Sequence, residues 1–134
     1  MHPNERLIAD FHAAQGRMYA GEADVDAVAG FLAEDCVWHV PGRNAIAGSY
    51  RGREAVLGYF ARRREVARRS MRMTIHRVLA DDDYVLQLAG GSVSVGGAVR
   101  TWETVGVFRV VDGRIAEGRL VPFDQFVFDE IWSD

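Results

Sequence analysis

Apolar positions along this chain change their spacing once, near residue 70, and the change divides it in two. In the front part they recur at helical spacing. Leu7, Ile8, Phe11, Ala14, Met18 and Tyr19 mark one face of a helix over residues 4–20, with Asn4 placed to cap it and Gly21 to stop it. Asp24 caps a second helix, whose apolar side is Val25, Val28, Ala29, Phe31 and Leu32. A short strand over 36–40 ends at Pro41-Gly42, and a loop over 43–51 leads into a third helix over 53–69. That helix carries Ala55, Val56, Tyr59, Phe60 and Val66 on one side.

Beyond it the period is two. Strands are expected over 71–80, 84–95, 99–111 and 114–121. The acidic turn Asp81-Asp82-Asp83 and the hairpin signals Gly96-Gly97 and Asp112-Gly113 join them. Pro122 ends the last strand. The tail holds Phe126, Phe128, Ile131 and Trp132, too many large apolar groups for a free terminus, so it packs on the sheet or on a partner. The order predicts an α+β fold in one domain, 1–134: three N-terminal helices packed on a curved, mainly antiparallel sheet, with a pocket between.

The longest strand is apolar on both faces. One carries Trp102, Thr104, Gly106, Phe108 and Val110; the other carries Val99, Thr101, Glu103, Val105, Val107 and Arg109. A sheet with one face in water alternates more cleanly than this. Helices cover one side, and a second copy of the chain is the simplest cover for the other, so a homodimer through the outer sheet face is expected.

At 134 residues the chain is too short for two ordinary domains, and its 49% apolar and 26% charged content are those of a globular protein. No apolar run approaches the ~20 residues that span a bilayer. The start, MHPNERLIADFH, has no signal-peptide pattern, which makes a cytoplasmic location the expectation. A net charge of −3 gives no general attraction to nucleic acid. All 16 basic residues are arginine, which excludes a Schiff-base or P-loop lysine. Cys36 stands alone, so no intrachain disulfide and no cysteine metal cluster can form; a buried thiol is expected.

Several short segments, in this order, carry a resemblance: Tyr19-Ala20-Gly21, the run FLAED over 31–35, WHVPG over 38–42, the run over 48–56, that over 108–115, and Asp124-Gln125 through Trp132. Together they resemble the cone-shaped fold of nuclear transport factor 2, shared with ketosteroid isomerase, limonene epoxide hydrolase and the SnoaL-type polyketide cyclases. The pattern is most similar to the SnoaL-like group. The resemblance implies a pocket and, in some members, acid–base chemistry; fold alone does not fix activity. Matched motif to motif, the isomerase positions fall on Ala14, Val40 and Gly106, none of which can exchange a proton or donate to an enolate. Tyr19 is the alternative for the first. The epoxide hydrolase arrangement of an arginine among acids is matched in part by Arg119 and Asp124, with Glu103 a third member only if its face is the inner one.

Among single residues, His39 beside Trp38 is a candidate general base, or a histidine turned away because Trp38 and Val40 face in. Asp124 is a candidate base or partner of Arg119, or the cap of a tail helix. Arg119 can anchor a carboxylate, or lie on the surface. His76 reads as structural, and His2 and His12 as solvated. The histidines show no metal-ligand spacing, so no metal or cofactor is expected. Phe11, Ala14, Met18, Trp38, Val40, Tyr59, Phe60, Trp102, Thr104, Gly106 and Phe108 are expected to line the cone as core and pocket together. Arg62-Arg63-Arg64 and Arg68-Arg69 read as a solvated basic face. The function expected is binding of a small aromatic or alicyclic molecule for cofactor-free acid–base chemistry by His39, Asp124, Arg119 and Tyr19. The alternative is a dimeric binding protein without chemistry.

Overall fold

The computed structural model describes residues 1–67 and 70–133; Arg68 and Arg69 of the basic run lie outside them. The first helix, α1, is Pro3–Tyr19. Proline suits its first position, where the missing N–H would have had no partner. His2, rather than Asn4, caps it: its Nδ1 accepts from the Asn4 backbone N–H at 3.0 Å. Asn4 is buried, and its side chain donates to the carbonyls of Asp81 and Asp82 at 2.9 and 3.1 Å. The residue expected to cap the helix instead ties its start to a distant turn, and His2, expected in solvent, takes the cap.

The second expected helix is a 3-10 helix, Val25–Phe31, with Asp24 accepting from the Val25 N–H at 2.7 Å. Strand β1, Leu32–Val40, follows at once and is longer than its apolar core suggested. The expected loop contains a short strand, β2, Gly48–Arg51. Then come α2, Arg53–Ala67; β3, Arg72–Ala80; β4, Tyr84–Val95; β5, Ala98–Val111; β6, Arg114–Pro122; and α3, Gln125–Ile131. Two α-helices and a 3-10 turn therefore stand where three helices were expected, and the tail adds another.

The curved sheet has six strands in the order β2-β1-β6-β5-β4-β3. Every pairing is antiparallel except β1 with β6. Alternation along β5 is strict: Trp102, Thr104, Gly106, Phe108 and Val110 are buried under the helices, and Glu103, Val105, Val107 and Arg109 face the other way. Large inward rings lie over glycines. Trp38 of β1 pairs with Gly118 of β6, and a Cβ at Gly118 would stand 2.6–2.7 Å from the indole. Trp102 covers Gly91 in the same way.

The tail folds back as expected for so many apolar groups. Asp124 accepts from the Val127 N–H at 3.1 Å, the cap of α3. Trp132 packs on Trp102 with centroids 5.4 Å apart, and its carbonyl accepts from the Ala45 N–H at 2.9 Å.

Candidate functional site

The four residues expected to carry chemistry do not converge. Trp38 and Val40 of β1 point into the core, so His39 between them points out. It pairs in register with Arg119 of β6, which is exposed on the same outer face. Asp124 is exposed and engaged as the α3 cap. Only Tyr19 enters the interior. Glu103 is on the outer face, beside His76 Nε2 at 3.0 Å.

His39 sits in a hydrogen-bonded row. Its Nε2 lies 2.9 Å from Glu117 Oε2 and its Nδ1 3.0 Å from Ser49 Oγ. An ionised Glu117 only accepts, so Nε2 donates and, in the neutral ring, Nδ1 accepts from the serine. The hydrogen bond from His39, with help from Arg109 and Arg119, holds the Glu117 carboxyl below the usual range, although what burial it has acts the other way. The order is that of an acyl-transfer relay, but Ser49 is exposed and Glu117 half so. The row lacks the dry surroundings that strengthen a nucleophile.

The residues expected to line the cone are buried, and their rings pack on one another. Trp38 lies 5.5 Å from Phe60 and 5.8 Å from Phe108; Phe11 lies 5.9 Å from both Trp38 and Phe60. These edge-to-face and tilted contacts are those of a core. Ala14, Met18, Val40, Tyr59, Trp102, Thr104 and Gly106 are buried with them.

A cavity of about 250 Å³ lies instead between the second half of α1 and the start of β3, lined by His12, Gly16, Tyr19, Ala20, Met71, Arg72 and Met73. Its shape follows from the helix period. His12, Gly16 and Tyr19 stand at i, i+4 and i+7 on one face, and glycine in the middle leaves the gap. His12 was expected in solvent, yet its Nδ1 is buried without a hydrogen-bond partner. Burial lowers its pKa, which keeps the ring neutral and basic near pH 7. The Tyr19 hydroxyl is likewise buried and unpartnered. Burial raises its pKa, against the pull of the nearby Arg63, so it remains an O–H donor.

Behind Tyr19 stands the largest departure from the sequence reading. Arg63, taken for part of a solvated face, is 3% exposed. It occupies the buried stripe Val56, Tyr59, Phe60, Arg63 and Ala67 of α2. Its Nη1 donates to the Tyr59 hydroxyl at 3.1 Å, and its guanidinium lies 5.9, 6.0 and 5.4 Å from the ring centroids of Tyr19, Tyr59 and Trp132. Burial alone would lower its pKa, but the two tyrosines outweigh it and the group stays charged. Among the described residues no carboxylate is paired with Arg63. No group of three or more histidine, cysteine or acidic side chains gathers to hold a metal ion among them either. No described helix is long and apolar enough to cross a membrane.

A family model described as the SnoaL-like domain matches residues 10–118, from within α1 to within β6. The chain belongs to the SnoaL-like domain family. Its fold is similar to that of Bal32a, from a soil-derived mobile gene cassette, with a TM-score of 0.83 and 26% identity over 98% of this chain and 99% of that one. A protein of unknown function with a cystatin-like fold from Xanthomonas campestris matches with a TM-score of 0.78 and 24% identity over 94% and 98% of the two chains. An NTF2-like protein of unknown function from Burkholderia pseudomallei matches with a TM-score of 0.83 and 21% identity over the whole of both. No curated protein matches. The SnoaL-like and NTF2-like resemblance expected from the sequence therefore holds for the fold. In this SnoaL-like chain two of the buried groups without a hydrogen-bond partner, His12 Nδ1 and the Tyr19 hydroxyl, belong to α1.

Proposed function

We propose that this SnoaL-like protein binds a small aromatic or alicyclic molecule in the cavity beside α1, for cofactor-free acid–base chemistry. The observation that carries the reading is that His12 and Tyr19 both line that cavity and each holds a buried group without a hydrogen-bond partner: His12 Nδ1, a neutral base, and the Tyr19 hydroxyl, a donor. Their Cα atoms stand about 10 Å apart along the α1 axis, which leaves room between the two side chains for a small cyclic ketone. In such a ligand His12 takes a proton from carbon next to a carbonyl, and Tyr19 donates to the oxygen that becomes the enolate.

The test needs no natural substrate. 2-Tetralone in D2O exchanges its α-protons for deuterium, and NMR follows the exchange. The expected result is exchange faster than in buffer, slowed in His12→Asn and in Tyr19→Phe. Binding of 2-tetralone without faster exchange supports the alternative, a binding protein without chemistry. Absence of binding removes the reading altogether.

We infer further that a second copy covers the outer sheet face. Cross-strand register lines up Leu79, Leu86 and Val107 in one row and Leu88, Val105 and Val121 in the next. Leu79, Leu86, Leu88 and Val121 are exposed in the single chain, a continuous apolar strip of the kind that marks an interface. Sedimentation equilibrium should give a dimer, and Leu86→Glu a monomer. A wild-type monomer at micromolar concentration defeats this inference.

A further inference from the structure

Arg63 poses a chemical question that its surroundings leave open. A guanidinium removed from water requires an opposite charge or a full set of acceptors. Here one acceptor stands in hydrogen-bond geometry, the Tyr59 hydroxyl, and the Tyr19 oxygen nearby also supports the charge. Arg63 Nε has none. Around it the other unpartnered groups are also donors: the Tyr19 hydroxyl, and the Nε1–H of Trp132, whose ring is 5.4 Å from the guanidinium. Three donors without a partner and one positive charge, from α1, α2 and the residue after α3, meet here, and among the described residues no carboxylate pairs with Arg63. The complement of such a set is an oxygen with negative charge.

We propose that Arg63, with Tyr19 and Trp132, selects a ligand that carries an anionic oxygen: a carboxylate, phenolate or enolate on an aromatic or alicyclic body. The proposal rests on the reading of the α1 cavity as the ligand site, since Tyr19 belongs both to the cavity wall and to the group around Arg63. The ligand body occupies the space beside Met71 and Met73, and its anionic end approaches Tyr19, with the Arg63 charge behind. The same charge favours the enolate over the ketone in the reaction above, so one residue serves recognition and chemistry.

Two isosteric probes test the charge separately from the cavity: 2-naphthoate and 2-naphthamide, titrated against tryptophan fluorescence and against the melting temperature. The wild type should bind naphthoate more tightly than naphthamide by about tenfold or more, the scale of a desolvated charge pair against a neutral hydrogen bond. Arg63→Met should bring the two dissociation constants together within about twofold by weakening naphthoate alone, and Arg63→Lys should keep part of the preference. Equal binding of both probes by the wild type would overturn the anion proposal and leave the cavity reading intact. Failure of both to bind would remove the cavity reading with it. If Arg63→Met does not fold, the wild-type ratio and the melting shift with each probe still decide.

Discussion

His39 Nε2 lies 2.9 Å from Glu117 Oε2 on the face of the sheet that the helices leave uncovered. Neither group reaches the cavity beside α1. His39→Asn and Glu117→Gln should therefore leave naphthoate binding unchanged. Their effect on stability should be small, roughly 0–1 kcal/mol, because Glu117 is more than a third exposed and solvent screens the pair. The carboxyl pKa is depressed in the folded chain, chiefly by the His39 hydrogen bond. Its contribution is thus complete above the unfolded value of about 4.3 and fades as pH falls through the folded value. Urea melts of wild type and Glu117→Gln should draw together as pH falls below about 4.3 and converge once it passes the depressed folded value.

Trp38 and Gly118 make a sharper structural prediction. The indole occupies the space where a side chain at 118 would begin. Its ring is held by Phe11, Phe60 and Phe108 and has nowhere to move. Gly118→Ala should cost about 1–3 kcal/mol by overpacking, read as a lower urea midpoint with an unchanged slope. A change of less than about 0.5 kcal/mol would mean that the Trp38 packing is looser than described.

The same rings show what was legible in the sequence. Inward and outward alternation on β5 assigned Trp102 and Phe108 to the core because period two is strict in a strand. β2 was missed because its four residues, Gly48 to Arg51, show no apolar alternation and are placed by their pairing to β1. Arg63 was legible by position: it falls on the stripe of Val56, Tyr59 and Phe60. Its charge class, and two arginine neighbours, argued the other way, and average burial of arginine is a poor guide where aromatic rings can enclose it. His12 was legible in the spacing His12-Gly16-Tyr19, but a lone helical histidine gives no sign of which face it takes until β3 is placed against it. Arg119 was placed by likeness and His39 by its imidazole beside Trp38; of the two readings of His39, the alternation that turns it away from Trp38 and Val40 was the better guide.

Asp124 offers a check on the tail. It accepts from the Val127 N–H and so fixes the start of α3, a helix of one to two turns that cannot hold itself. Asp124→Ala should cost about 1 kcal/mol. Phe128, Ile131 and Trp132 depend on that helix for their places, so Trp132 fluorescence should report the change. Catalysis or binding should respond only through Trp132, by a weaker hold on naphthoate, and not through any acid–base role at 124.

His12 sets the pH response of the site. Burial lowers its pKa in the folded chain. The unfolded chain takes up a proton near pH 6.5, where the folded one does not, so folding stability should fall as pH drops from about 6.5 toward the folded value. His12→Asn should remove that part of the slope. Exchange of 2-tetralone should lose rate over the lower end of the same interval, as the base becomes protonated, while naphthamide binding persists. A rate that stays flat down to the pH at which the His12 part of the stability slope levels off would separate His12 from the chemistry.

Arg63→Met measures the balance that holds a cation inside. Burial of the guanidinium costs several kcal/mol. Against it stand one hydrogen bond of roughly 1.5–3 kcal/mol to Tyr59 and ring contacts of up to about 2 kcal/mol each when dry. At 5.4–6.0 Å the rings are near the outer limit of that attraction, so the two sides come close to cancelling. Methionine fills the same stem volume without the charge, and the free protein should change in stability by less than about 2 kcal/mol, in either direction. A buried arginine with a carboxylate partner would instead lose about 3–5 kcal/mol on the same change. Urea denaturation without ligand distinguishes the two, and at equal naphthoate concentration the wild type should gain more stability than the variant.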